Sequence, residues 1–277
     1  MLTIIQRIGW TWLTLLLCFW ASWLTLAQVN FGYPLWHDYA GIGDHIERYA
    51  PLNLYRKGFE ETSAETRYQL FADIVKAIHH HGEGLEKLCY ETPQYRVALL
   101  RPAEIVHLKD VAHLISILQT AALYGLIIWL LWTGFMIYRH RYPSSKQLLT
   151  AGTLGALGLL VPILIWGPET VFYQLHIWIF PEQHQWFFYY QESLMSTMMK
   201  APDLFGYIFV CLMVVTTGLF ILVHPLLRRL SQRHQRYNPV ADTLTINLLF
   251  KSVLGIISLL VFYGLLIKDS PLLLGSF

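Results

Sequence analysis

Five apolar stretches of about 20 residues punctuate the chain, at 8–27, 114–138, 148–166, 206–227 and 244–267. At about 1.5 Å of rise per residue, a helix of that length crosses the roughly 30 Å hydrocarbon layer of a bilayer. Lipid offers no partner for exposed backbone groups, so such segments must be helical. The pattern therefore predicts an all-α polytopic membrane protein with about five transmembrane helices. Between the first two spans, a polar stretch predicts a mainly helical outer domain. The expected organisation is a first transmembrane helix (1–28), an extracytoplasmic helical domain (29–110), a three-helix transmembrane core (111–227) with an aromatic loop at 168–205, and a basic loop with a further helix (228–277).

Composition removes the soluble alternative. Hydrophobic residues make up 55% of the 277 positions and charged residues 14%, against about 25% charged in an ordinary globular chain. A net charge of +2 is too small and too scattered to attract nucleic acid. Three cysteines (Cys18, Cys89, Cys211) without a CxxC spacing exclude a disulfide framework and a cysteine zinc site. The first apolar core is about 20 residues, longer than the 7–15 of a cleaved leader, so a retained span is expected, with cleavage after Leu-Thr-Leu-Ala27 as the alternative.

Basic residues orient the spans. Arg139, Arg141 and Lys146 follow the second, and Arg228, Arg229, Arg233 and Arg236 follow the fourth. Those loops are expected in the cytoplasm together with the N-terminus near Arg7. The opposite side then receives residues 29–110, with nine basic and twelve acidic side chains, and residues 168–205, with Lys200 against four acids. Lys251, inside the fifth stretch, is expected to snorkel towards the cytoplasmic surface.

In the outer domain, Thr62 or Ser63 can cap a helix with Glu65 completing a capping box. Leu70, Phe71, Ile74, Val75 and Ile78 then recur at helical spacing. His79, His80, His81 and Gly82 close that helix as a cationic last turn and a stop. A loop through Pro93 leads to Pro102, from which a helix runs unbroken into the second span.

Candidate chemistry sits at the start of that helix. Glu104, His107 and Asp110, spaced i, i+3, i+6, share one stripe just outside the membrane. A carboxylate beside an imidazole fixes its orientation and strengthens it as a base. His113 lies about 240° further round than His107, so one site cannot readily use both. The 168–205 segment is densely aromatic, with Trp178, Phe180, Trp186 and their neighbours, which suits the headgroup layer. His176 is a single imidazole in that apolar setting.

Taken in order, these blocks resemble a known family. Glu104-x-x-His107-Leu-x-Asp110-Val runs into a span, Leu-His176-x-x-x-Phe180 follows a later one, and Trp186 precedes Pro202-x-Leu-Phe205. With the Phe71-Ala-Asp-Ile-Val helix, they are similar to the bacterial lipoprotein intramolecular transacylase family over roughly residues 8–227. The resemblance implies four family-like spans, with the C-terminal helix additional. It implies an enzyme that moves the sn-2 acyl chain of a diacylglyceryl-cysteine lipoprotein to the cysteine α-amine, giving the lyso form, at the outer face of the bacterial cytoplasmic membrane. His107 and His176 would be catalytic, one as base and the other as acid. Glu104 and Asp110 would orient them, and Trp178, Phe180 and Trp186 would contact substrate. The implied partners are a diacylated lipoprotein and membrane lipid, with no cofactor and no metal. The family pattern leads to an Asp after Trp186, where this chain has Gln191-Glu192-Ser193.

Three other readings make different demands. A non-enzymatic sensor or assembly protein, binding a partner through its outer domain, would place His107 and His176 on unconnected faces. A metal-dependent hydrolase lacks an HExxH or comparable spacing. A transporter would need acids inside its spans, and they contain none.

Overall fold

The computed structural model describes residues 4–138 and 143–236. The fifth apolar stretch, with Lys251, lies outside the described residues.

The first apolar stretch forms helix α1 (Ile4–Ala27). Its tryptophans and hydroxyls carry the packing of the apolar helices. Trp12 Nε1–H donates to the carbonyl of Ala151 at 3.1 Å on α6 (Ser145–Trp166). Trp10 Nε1–H donates to Thr133 Oγ1 at 2.9 Å, and Trp129 Nε1–H to Thr14 Oγ1 at 2.7 Å. Thr133 and Trp129 belong to the helix Pro102–Tyr138, and Thr216 of the helix Asp203–Arg236 reaches Ser22 at 3.1 Å. Polar groups among apolar helices must find one another, because the alternative is an unsatisfied donor in hydrocarbon. Among the described residues, three helices are long and apolar enough to cross a membrane: Ile5–Ala27, Pro102–Tyr138 and Asp203–Gln232. The third predicted span coincides with α6, which carries Pro162 inside it.

Three helices build the outer domain after α1: α2 (Tyr33–Tyr39), α3 (Ile42–Tyr49) and α4 (Ala64–His79). The predicted face of α4 is buried at Leu70, Phe71, Ile74, Val75 and Ile78. Tyr33 stacks on Phe71 with ring centroids 4.2 Å apart and planes 7° apart.

The N-cap differs from the expected capping box. Ser63 Oγ accepts from the Thr66 amide, so Thr66 and not Glu65 takes the pairing position. Thr62 is committed elsewhere, donating to Phe59 O at 2.6 Å and accepting from Arg67 Nε at 3.2 Å. At the other end of α4, His81 and Gly82 both adopt positive φ. A Cβ on Gly82 would stand 2.9 Å from Lys109 Cγ, so a glycine is what lets the end of α4 approach the next long helix.

A short antiparallel hairpin, unforeseen from the sequence, joins β1 (Cys89–Glu91) to β2 (Arg96–Ala98), with Tyr90 opposite Val97. Its three-residue strands are too brief to show an alternating pattern. Helix α5 (Pro102–Tyr138) then runs unbroken, as its sequence predicts. At about 1.5 Å per residue its 37 residues span about 56 Å, well beyond a bilayer core. Its first turns therefore stand against the outer domain while its remainder packs on α1.

Gly167, at φ 82°, turns α6 into α7 (Pro168–Ile179). An irregular aromatic stretch at 180–193 leads to α8 (Leu194–Met199) and α9 (Asp203–Arg236).

Candidate active site

Helix α5 presents His107 in its second turn, and α7 presents His176 one turn from its end. The two rings face each other with centroids 6.4 Å apart and planes 33° apart. Phe180 wedges beside both, 4.9 Å from His107 and 5.3 Å from His176. Phe172 lies 4.0 Å and Trp186 5.0 Å from His176, and Phe188 lies 6.1 Å from His107. Both imidazoles line one cavity of about 710 Å³. Its walls are mostly apolar, drawn from Trp23 and Phe31, from the buried face of α4, and from Val111 and Leu114 further along α5. Gln191 and Ser196 add polar groups to that lining.

The hydrogen bonds define what each ring can do. His176 Nδ1 lies 2.7 Å from the Phe172 carbonyl. A carbonyl only accepts, so Nδ1 carries the proton and Nε2 keeps its lone pair. Burial holds the His176 pKa below the ordinary imidazole value, which leaves the ring neutral near pH 7. His107 is 9% exposed, and its Nδ1 is buried without a hydrogen-bond partner. His113, by contrast, is exposed on another face of α5.

Glu104 and Asp110 are engaged with groups other than His107. Glu104 is 0% exposed; its carboxylate accepts from the Ser193 hydroxyl and from the Arg101 amide at 2.5 Å, with Arg101 Nε at 3.8 Å. Asp110 Oδ2 lies 2.6 Å from His184 Nδ1. Arg101 in turn sits over the rings of Tyr55 and Phe188, at 4.7 and 5.9 Å. Of the three aromatic candidates, Phe180 and Trp186 line the cavity, while Trp178 is 74% exposed and lies outside that lining.

Sequence reading missed Ser193, His184 and the pair formed by Trp23 and His79. Ser193 is fully buried, caps α8 and stands in the stretch where the family pattern leads to an acid. The Ser-x-x-Ser spacing before an apolar run was the available signal for that cap. Trp23 Nε1–H donates to His79 Nε2 at 2.9 Å, and His79 Nδ1–H donates to Val75 O at 2.7 Å. This arrangement fixes the indole in the cavity wall. His184 carried no local signal, being a lone histidine in a turn.

Fold and site together define a helical protein with helices long and apolar enough to cross a membrane and a pair of imidazoles in an apolar cavity. The description "Lipoprotein intramolecular transacylase Lit" matches residues 56–205. That region includes both imidazoles and more than half of the chain, and the chain belongs to this family. The match is narrower than the sequence blocks suggested, leaving out α1 and nearly all of α9. No curated protein and no solved structure matches the chain.

Proposed function

We propose that the protein transfers the sn-2 acyl chain of a diacylglyceryl-cysteine lipoprotein to the α-amine of the same cysteine, leaving the lyso form. The observation that carries this reading is the convergence of His107 and His176, 6.4 Å between centroids, on one apolar cavity. This convergence counts against the non-enzymatic alternative, which places the two imidazoles on unconnected faces.

The chemistry asks for what these rings can supply. An α-ammonium has a pKa of about 8, so aminolysis needs a base to free the amine and take its second proton during attack. His176 is the suited base, because its Nε2 lone pair is free and its Nδ1–H is held by Phe172. The neutral amine attacks the ester carbonyl and forms a C–N bond. The proton it loses passes to His176 Nε2. The tetrahedral intermediate then collapses, the bond to the sn-2 oxygen breaks, and that alkoxide is protonated by an imidazolium. His107 stands opposite to stabilise the oxyanion or relay the proton. Amine and ester become amide and alcohol, with nothing else consumed. Both reactants belong to one substrate, so the protein's main task is to fold the headgroup into reacting geometry.

Trp23, Phe31, Val111 and Leu114 offer an apolar wall for acyl chain, and Phe180 and Trp186 frame the headgroup end. Exposed Trp178, with Ile177 and Ile179, suits contact with the surrounding lipid. We place the site on the extracytoplasmic side of a bacterial cytoplasmic membrane, with the N-terminus in the cytoplasm. The supports are the basic residues around 139–146 and 228–236 and the acidic balance of residues 29–110.

The test is conversion of a diacylated lipoprotein by His107→Ala and His176→Ala variants. Each is expected to lose about 10²–10⁴-fold in rate. Conversion at the wild-type rate by either variant contradicts the assignment.

A further inference from the structure

Helix α7 carries one of the two imidazoles, yet none of its residues is buried. Burial ordinarily fixes where a helix sits, so packing alone gives α7 little to hold its position against α5. A polar link spans that gap. Asp110 lies three residues beyond His107 on α5, and its Oδ2 is 2.6 Å from Nδ1 of His184. His184 sits four residues beyond Phe180, in a turn closed by its own amide donating to Pro181 O at 3.0 Å. Both partners are partly shielded, with side chains 22% exposed at Asp110 and 39% at His184. A hydrogen bond to a carboxylate in that setting is of the stronger, charge-assisted kind. Lys109, the residue before Asp110 on α5, pairs instead with Glu86 in an ion pair half exposed on each side. That second link ties α5 to the outer domain and does not touch the aromatic stretch.

The route from Asp110 to the reacting groups is short. Asp110 holds His184; the turn at 181–184 holds Phe180; and the Phe180 ring contacts both His107 and His176. We propose that Asp110 and His184 form a strap that sets the distance between the two imidazoles, and that both are positioning residues for the transfer. This rests on the acyl-transfer reading above. In this arrangement Asp110 acts on His107 through the aromatic stretch and not by direct contact. The transfer step depends on this strap, while contact with the acyl chains does not.

The experiment measures kcat and KM for conversion of a diacylated lipopeptide in detergent by the full chain. Asp110→Ala and His184→Ala are each expected to lower kcat by about 10–100-fold, the scale of roughly 1 Å of misplacement, with KM within about twofold of wild type. The double variant is expected to match the singles, because each removes the same link. The exchanged pair, Asp110→His with His184→Asp, is expected to recover most of the rate, which shows that the single variants had not merely misfolded. Lys109→Ala, which breaks the neighbouring ion pair, is expected to keep the wild-type rate. Wild-type kcat in either strap variant overturns the proposal, as does an additive loss in the double variant, an exchanged pair no better than the singles, or a loss confined to KM. These outcomes are separable from failure of the acyl-transfer reading, in which His107→Ala and His176→Ala themselves would leave conversion intact.

Discussion

His107 and His176 are 69 positions apart in the chain and face each other with ring centroids 6.4 Å apart, and the ring of Phe180 touches both. Residues that act as a unit lose their effect together. The variant lacking both imidazoles is therefore expected to be no slower than the worse of the two single variants, within a factor of about three. Single-turnover rates on a diacylated lipopeptide check this. Multiplicative losses would mean that the rings serve separate steps.

Phe180 and Trp178 are two residues apart and are expected to differ sharply on truncation. Phe180→Ala empties the wedge beside both imidazoles and should lower the rate by about 10–100-fold. Trp178→Ala should leave the rate in detergent near wild type, because that ring is 74% exposed and outside the cavity lining. Equal losses from the two would contradict the cavity assignment.

The buried carboxylate of Glu104 acts on the scaffold in this structure, holding Ser193 at the start of α8 and the Arg101 amide. Ser193→Ala removes a donor from a fully buried acceptor, which should cost about 1–3 kcal/mol of stability. Denaturant unfolding in detergent measures it. An unchanged unfolding midpoint would mean that the contact contributes nothing to the fold.

His79 provides a pH signature. Burial depresses its pKa below the ordinary value of 6.5, and its Nε2 accepts from Trp23. The unfolded chain then binds the proton more readily than the folded one, so stability is full above about pH 6.5 and falls as pH drops below it. The thermal midpoint should decline between pH 7 and 5 in the wild type and decline less in His79→Gln. Identical slopes would sink this reading. The same substitution should loosen the Trp23 indole, which tryptophan fluorescence reports.

Much of this was legible in the sequence, and what was not has a physical reason. The α4 face from Leu70 to Ile78 and the unbroken course of α5 followed from periodicity and the absence of a breaker after Pro102. His107 and His176 stood out through local chemistry and through order along the chain. The partners of Glu104 and Asp110 did not, because Ser193 and His184 lie 89 and 74 positions away. Spacing on a helix shows which side chains share a face. It cannot show which distant group will claim them. The expectation that these carboxylates would contact His107 followed from the helix alone, and the folded chain gave both a nearer claimant. Likewise the protonated nitrogen of His176 depends on the Phe172 carbonyl one turn back, which only a helical α7 brings into reach.

An O-to-N acyl shift within one molecule leaves the mass of the lipoprotein unchanged. Fragmentation of the N-terminal lipopeptide by tandem mass spectrometry, with and without the protein, tests it directly. The same precursor mass is expected in both samples. With the protein present, the expected products are an N-acylated cysteine, a single O-linked chain and an α-amine that no longer reacts with an amine label. A reactive amine and two O-linked chains in both samples would contradict it.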